Sequence, residues 1–112
     1  MAVLKPKRGE IWWVNFDPSI GSEVQKKRPA IIVSNDSSNK YLSRVQVVPL
    51  TSSMDTLYPS ECLVEVKKQT CKAMADQIKT VSLERCGERI ATLSETDMQA
   101  VELVLKLQLG LM

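Results

Sequence analysis

For most of the chain, apolar and β-branched residues come in short runs separated by turn signals. Residues 10–16, EIWWVNF, form such a run and stop at Asp17-Pro18, so they predict a first strand. Residues 19–28, SIGSEVQKKR, have no hydrophobic period and carry Gly21; they predict a loop that Pro29 ends, ahead of a buried second strand, AIIVS. Asn35 and Asp36 break that run, and DSSNKYL suits one helical turn capped by Asp36 or Ser37. From Arg44 the row RVQVVPLT is β-like again, with Pro49 implying an edge position or a bulge, because proline has no N–H to give to a ladder. SSMDTLYPS reads as a loop and CLVEV as a short alternating strand. KAMADQIKTVS reads as one strand interrupted by polar residues that it offers to a site, and GERIATLS as the last strand.

At Ser94 the period changes. Ser94 with Asp97 three residues on resembles a capping box, Glu95 and Asp97 put negative charge in a first helical turn, and a helix is predicted over 95–109. Met98, Val101, Val104, Leu105 and Gln108 fall near one stripe, while Leu103, Leu107 and Leu111 lie off it. That apolar surface is broader than one sheet face needs, which fits either a helix lying in a cleft or one that meets a second subunit. A run of short strands ended by one helix, without strand-helix alternation, predicts a mainly β fold with a C-terminal α-helix, built on a small, strongly bent antiparallel sheet or barrel.

At 112 residues, 44% of them hydrophobic, the chain suits a single domain over 1–112, since this length closes one core but hardly two. No stretch approaches the roughly 20 consecutive apolar residues of a membrane span. MAVLKPKRGEIWW lacks the apolar run and cleavage site of a signal peptide, so the expectation is a cytoplasmic protein with no membrane contact. Cys62, Cys71 and Cys86 make no zinc-like spacing and there is no histidine, so free, buried or half-buried thiols and no metal are expected. A net charge of +2 does not by itself announce a nucleic-acid binder. Its distribution matters more: Lys5, Lys7 and Arg8, and again Lys26, Lys27 and Arg28, gather charge that either follows a phosphate backbone or is ordinary solvated surface.

The residue types also bound the chemistry. Without histidine there is no Ser-His or Cys-His pair, and no Gly-rich phosphate loop or carboxylate cluster at metal spacing is present. A catalyst here works with Arg, Lys, Thr, Ser and carboxylates. Cleavage of RNA by its own 2′-OH suits that kit, because the nucleophile belongs to the substrate and the enzyme need only align it, neutralise the phosphorane and move protons.

The rows RGEIWWVNFDPSIGSEVQKKRPAIIVSND, VVPLTSS, ADQIKTVS and TLSETDMQAVELVL, in that order and at these separations, resemble the MazF/PemK toxin family over essentially the whole chain. The resemblance implies an SH3-like barrel and a homodimer that cuts single-stranded RNA at short sequences, with no cofactor, and is silenced by a cognate antitoxin protein. It implies further that Arg28 and Thr51 are catalytic and that Glu23 and Gln77 take part in catalysis or substrate binding. Ser22, Lys26, Lys27, Ser52, Ser53 and Asp76 are the further candidates for holding substrate. One branch of the family uses an arginine two residues before the aspartate of the DQ pair and a histidine in the first loop. Met74 and Ser22 stand at those places, so that branch's proton transfer does not carry over.

Each residue also has a structural reading. Arg28 could be a surface cation, Thr51 a strand cap, Glu23 a loop stabiliser, and Asp76 and Gln77 partners for buried backbone. Glu23 is the first candidate for a general base and Asp76 the second, since arginine stays protonated at ordinary pH. Trp12 and Trp13 face opposite sides of a strand, so at most one could stack a base, and core or interface packing is the expected role. Gyrase-poisoning toxins of the CcdB kind, or an inactive RNA-binding or antitoxin-binding relative, are the alternatives; Arg28 together with Thr51 speaks against both.

Overall fold

The computed structural model describes residues 5–111. Its strands are β1 (Glu10–Asn15), β2 (Lys27–Ile32), β3 (Arg44–Thr51), β4 (Glu61–Val66), β5 (Gln69–Met74), β6 (Lys79–Ser82) and β7 (Cys86–Thr92), with helices α1 (Asp36–Tyr41) and α2 (Glu95–Leu109). All strand pairs are antiparallel, in the order β4-β5-β3-β2-β1-β7, and β6 pairs with β3 off that path. The mainly β fold with a C-terminal helix is as the pattern predicts. The sheet curls into a half-barrel in which β4 and β7 end the ladder without joining.

Alternation along the central strands supplies two cores. Ile11, Ile31, Val48 and Leu50 face one way and are covered by Met98 and Val101 of α2; Val14, Ala30, Ile32, Val45 and Val47 face the other way with Phe16 and Trp12. A helix in a cleft is therefore the right description of the buried stripe of α2, while Leu103, Leu107 and Leu111 remain exposed. Ser94 Oγ accepts from Asp97 N at 3.1 Å, but the carboxylate of Asp97 does not return the bond as a capping box would. It accepts instead from Glu65 N at 2.9 Å and ties the start of α2 to β4.

Four expectations need correction. β2 begins at Lys27 rather than after Pro29, because Asn15 and Val14 of β1 pair with Lys27 and Arg28 and draw them out of the loop. Pro49 lies in the central strand, not at an edge. It sits where the partner of β3 changes from β6, which pairs as far as Val47, to β5, which pairs from Leu50, so no ladder bond is asked of it there. KAMADQIKTVS is two strands with a 3-10 turn at Ala75–Gln77 between them. The cap of α1 is Asn35, whose Oδ1 accepts from Ser38 N at 2.9 Å.

Asp36 is left to join the N-terminal segment to α1. Its Oδ1 accepts from Arg8 N at 2.8 Å and from Asn39 Nδ2 at 3.2 Å. The Arg8 backbone bond, opposed by some desolvation and helped by Asn39, holds the Asp36 carboxyl below its usual value of 3.8. A depressed acid stabilises the fold above that usual value, and the contribution is lost as pH falls through the lower folded one. Asp36→Asn is expected to melt below the parent protein at neutral pH and to converge with it in acid, as thermal unfolding across pH would show. A constant gap between the two at every pH would mean that the carboxylate's charge plays no part.

Candidate active site

The β2–β3 ladder ends with Ala30 paired to Pro49, and two residues beyond that last pair Arg28 of β2 and Thr51 of β3 line the same cleft. Val14 flanks Arg28 on β1 and Lys72 flanks Thr51 on β5, so one row of side chains crosses four strands. Pro29 keeps the Arg28 backbone extended, and the Nε of Arg28 donates to Gln25 O at 3.0 Å, which fixes the start of the guanidinium, while its other nitrogens pair with no carboxylate among the described residues.

The loop from β1 to β2 folds over this row because Gln77 clamps it. Gln77 Oε1 accepts from Val24 N at 3.2 Å, Gln77 Nε2 donates to Ser22 O at 3.2 Å, and Val24 is buried in the second core. A cleft of about 280 Å³ results, lined among others by Ser22, Glu23, Gln25, Arg28, Thr51 and Gln77. Five of the candidate site residues thus meet in one place. Glu23 closes its own loop, since one carboxylate oxygen accepts from Ile20 N at 2.8 Å. Thr51 Oγ1 accepts from Ser53 N at 3.2 Å, so the strand-cap reading holds, and that bond leaves the hydroxyl proton free to be donated into the cleft.

Not every candidate is gathered. Asp76 is exposed on the 3-10 turn and does not line the cleft, because the turn that aims Gln77 inward carries its neighbour outward. Ser53 lines no cleft that contains Arg28; its hydroxyl donates to Asp55 Oδ2 at 3.2 Å. Lys26, Lys27 and Ser52 line a second cleft, about 340 Å³, on the far side of the Arg28 and Thr51 rim. The first basic cluster is structural: Lys5 Nζ donates to Lys40 O at 2.7 Å and Arg8 pairs with Glu102 at 2.8 Å. Among the described residues no group of three or more His, Cys, Asp and Glu could hold a metal ion, and no helix is long and apolar enough to cross a membrane. The three cysteines are free and half-buried, and desolvation pushes each thiol upward, with Asp97 adding to the effect at Cys62.

Sequence reasoning missed Lys72. It is only 6% exposed, its Nζ donates to Thr56 O at 2.5 Å and it pairs with the buried carboxylate of Glu61 at 3.5 Å. It therefore pins the loop that leaves Thr51. A lysine in a polar-looking strand gives no local sign of this; its partner Glu61 stands diagonally across on β4, two residues from Leu63, which is the residue opposite Lys72.

A half-barrel carrying an arginine and a threonine at neighbouring strand ends, over a loop-walled polar cleft, defines a small β protein with an open, polar, partly cationic site. Residues 7–109 match the model of the PemK-like, MazF-like toxins of type II toxin-antitoxin systems, and the chain belongs to that family. It is 38% identical over 114 residues to Endoribonuclease MazF9 of Mycobacterium tuberculosis, covering 94% of this chain and 97% of that protein. To Endoribonuclease MazF of Staphylococcus epidermidis it is 32% identical over 110 residues, 94% and 92% of the two chains. MazF from Deinococcus radiodurans superposes with a TM-score of 0.87 at 26% identity, over 96% of this chain and 99% of that one. An endoribonuclease in complex with its cognate antitoxin from a mycobacterial species gives 0.80 at 24% identity, over 96% and 97%.

Lys72→Met is expected to cost about 3 kcal/mol of stability, because it leaves Glu61 buried without its cation. Urea unfolding measures this, and a loss no larger than that of an exposed ion pair would show that Glu61 stays hydrated.

Proposed function

We propose that the protein is an endoribonuclease toxin that cuts single-stranded RNA at short sequences by attack of the substrate's own 2′-OH. The products are a 2′,3′-cyclic phosphate and a 5′-OH, no metal ion takes part, and a cognate antitoxin neutralises the enzyme. The observation that carries the reading is that Arg28 and Thr51 line one cleft together with Ser22, Glu23 and Gln77. Membership of the family and two relatives named endoribonucleases support it. A cytoplasmic homodimer of one domain per chain fits the same reading.

In this mechanism the free nitrogens of Arg28 meet two oxygens of the scissile phosphate, and the contact strengthens as charge accumulates on the phosphorane. Thr51 donates its hydroxyl proton to a non-bridging oxygen. Lys26 and Lys27 hold phosphates to one side. Glu23 takes the 2′-OH proton as the 2′-O–P bond forms, the P–O5′ bond breaks, and the departing 5′-oxygen takes a proton from water; release of the Glu23 bond from Ile20 N accompanies substrate entry. Asp76 lies outside the cleft, which favours Glu23 over it as the base. Because in-line attack needs a backbone free to rotate, duplex RNA is not a substrate.

Arg28→Ala is expected to lower kcat by at least about a hundredfold, the cost of removing one oxyanion-type donor. Cleavage of a long single-stranded RNA, with a duplex control, measures it, and full activity in the variant would remove Arg28 from the chemistry. Glu23→Gln is expected to lower kcat by about a hundredfold, the usual cost of losing a general base; a rate equal to that of the parent would rule Glu23 out as the base.

A further inference from the structure

Trp12 and Trp13 divide as strand alternation requires, and they divide unequally. Trp12 is 8% exposed, buried in the second core with its Nε1 donating to Glu10, whereas Trp13 is 44% exposed. The reason for that exposure lies in the neighbouring strands. β1 pairs Trp12 with Arg89 and Val14 with Cys86, so the single residue Trp13 faces two residues of β7, Gly87 and Glu88, in a bulge. On its other side Trp13 pairs with Pro29. Gly87 has no side chain to cover an indole and Pro29 only a short ring, and a Cβ built on Gly87 would lie 3.5 Å from the Cβ of Trp13. The bulge and the two small neighbours leave the ring standing open beside the site.

One side of the ring is cationic, while Glu84, Arg85 and Glu88 border the other. The second cleft has Trp13, Pro29 and Leu50 as its apolar part and Lys26, Lys27 and Arg28 as its charged part, and no carboxylate lines it. None of the three cations forms a salt bridge among the described residues. Lys26 also holds a left-handed backbone, φ 66, locked by its N–H donating to Asp17 Oδ1 at 2.9 Å. A side chain disfavours that conformation and glycine would take it freely, so the lysine is placed at a cost to the fold. Arg28 and Thr51 line this cleft as well as the first, because they stand at the ends of β2 and β3 where the two faces of the sheet meet.

We propose that Trp13 is a stacking platform for an RNA base flanking the scissile phosphate, with Lys26 and Lys27 holding the adjoining phosphate. The inference rests on the ribonuclease reading above. An RNA strand crossing the Arg28 and Thr51 rim places one flanking nucleotide among the hydrogen-bonding groups of the first cleft and the other on the indole. The first side reads base edges and the second accepts any base by its π-face, so sequence preference belongs to the first cleft and grip to the second. A second protein chain is the other class of occupant an open tryptophan suits, but the unpaired cations beside this one favour a polyanion.

The test starts by mapping the cuts made in a long single-stranded RNA and then uses a short RNA spanning one cut, intact or with an abasic nucleotide on either side of it. Trp13→Ala is expected to raise KM about tenfold on the intact RNA, with the loss in KM rather than kcat, and Trp13→Phe to retain most of the affinity. One abasic position is expected to weaken the parent protein by a similar factor and to have no further effect on Trp13→Ala. Gly87→Val, which puts a side chain against the ring, is expected to raise KM in the same direction. Equal KM for the parent and Trp13→Ala, or abasic losses that ignore the variant, would overturn the proposal. So would sedimentation showing that Trp13→Ala splits a dimer, which would make the ring a subunit contact. A parent protein that cuts no RNA would instead overturn the ribonuclease reading on which this one stands.

Discussion

The antiparallel pairing of β2 with β3 is the constraint on which the rest depends. Both strands are buried on both faces through Ile31, Ile32, Val47 and Val48, so a slip of one residue would exchange the two cores and turn every inward side chain to the wrong side. The register that satisfies both cores also brings Arg28 level with Thr51 at the strand ends. The geometry of the proposed site is thus a by-product of core packing: Arg28 and Thr51 need no contact with each other, because the ladder beneath them sets their spacing.

Around that ladder the polar groups act on loops. Gln77 holds the segment before Arg28 through two backbone bonds, and Lys72 holds the segment after Thr51 through Thr56 O. Both clamps sit on the same stretch of chain, β5 and the turn that follows it. The left-handed Lys26 belongs to the same economy, since Asp17 fixes its backbone and so aims the cations that follow.

Much of this was legible in the sequence because strands with two-sided burial announce themselves as apolar runs, and α2 by its cap and its period. The quoted motifs located Arg28, Thr51, Glu23 and Gln77 as candidates, and all four line one cleft. What was not legible has physical causes. The start of β2 depends on pairing with β1, which a row of lysines does not advertise. Pro49 looks like an edge residue until β3 is seen to change partners beside it. The turn at Lys67 and Lys68 has positive φ at both residues without the Asn-Gly that usually signals it. Asp76 and Gln77 are adjacent in sequence, yet a 3-10 turn separates them, one into the cleft and one into solvent.

The central claim is that the substrate supplies its own nucleophile and this site only aligns and stabilises it. The most direct measurement is cleavage, in EDTA, of a single-stranded RNA in which the nucleotide on the 5′ side of one mapped cut carries a 2′-deoxyribose. The expected result is that this bond alone survives while neighbouring sites are cut to cyclic phosphate and 5′-OH ends. Cleavage at the deoxy position would contradict the claim, because another nucleophile would then have done the work.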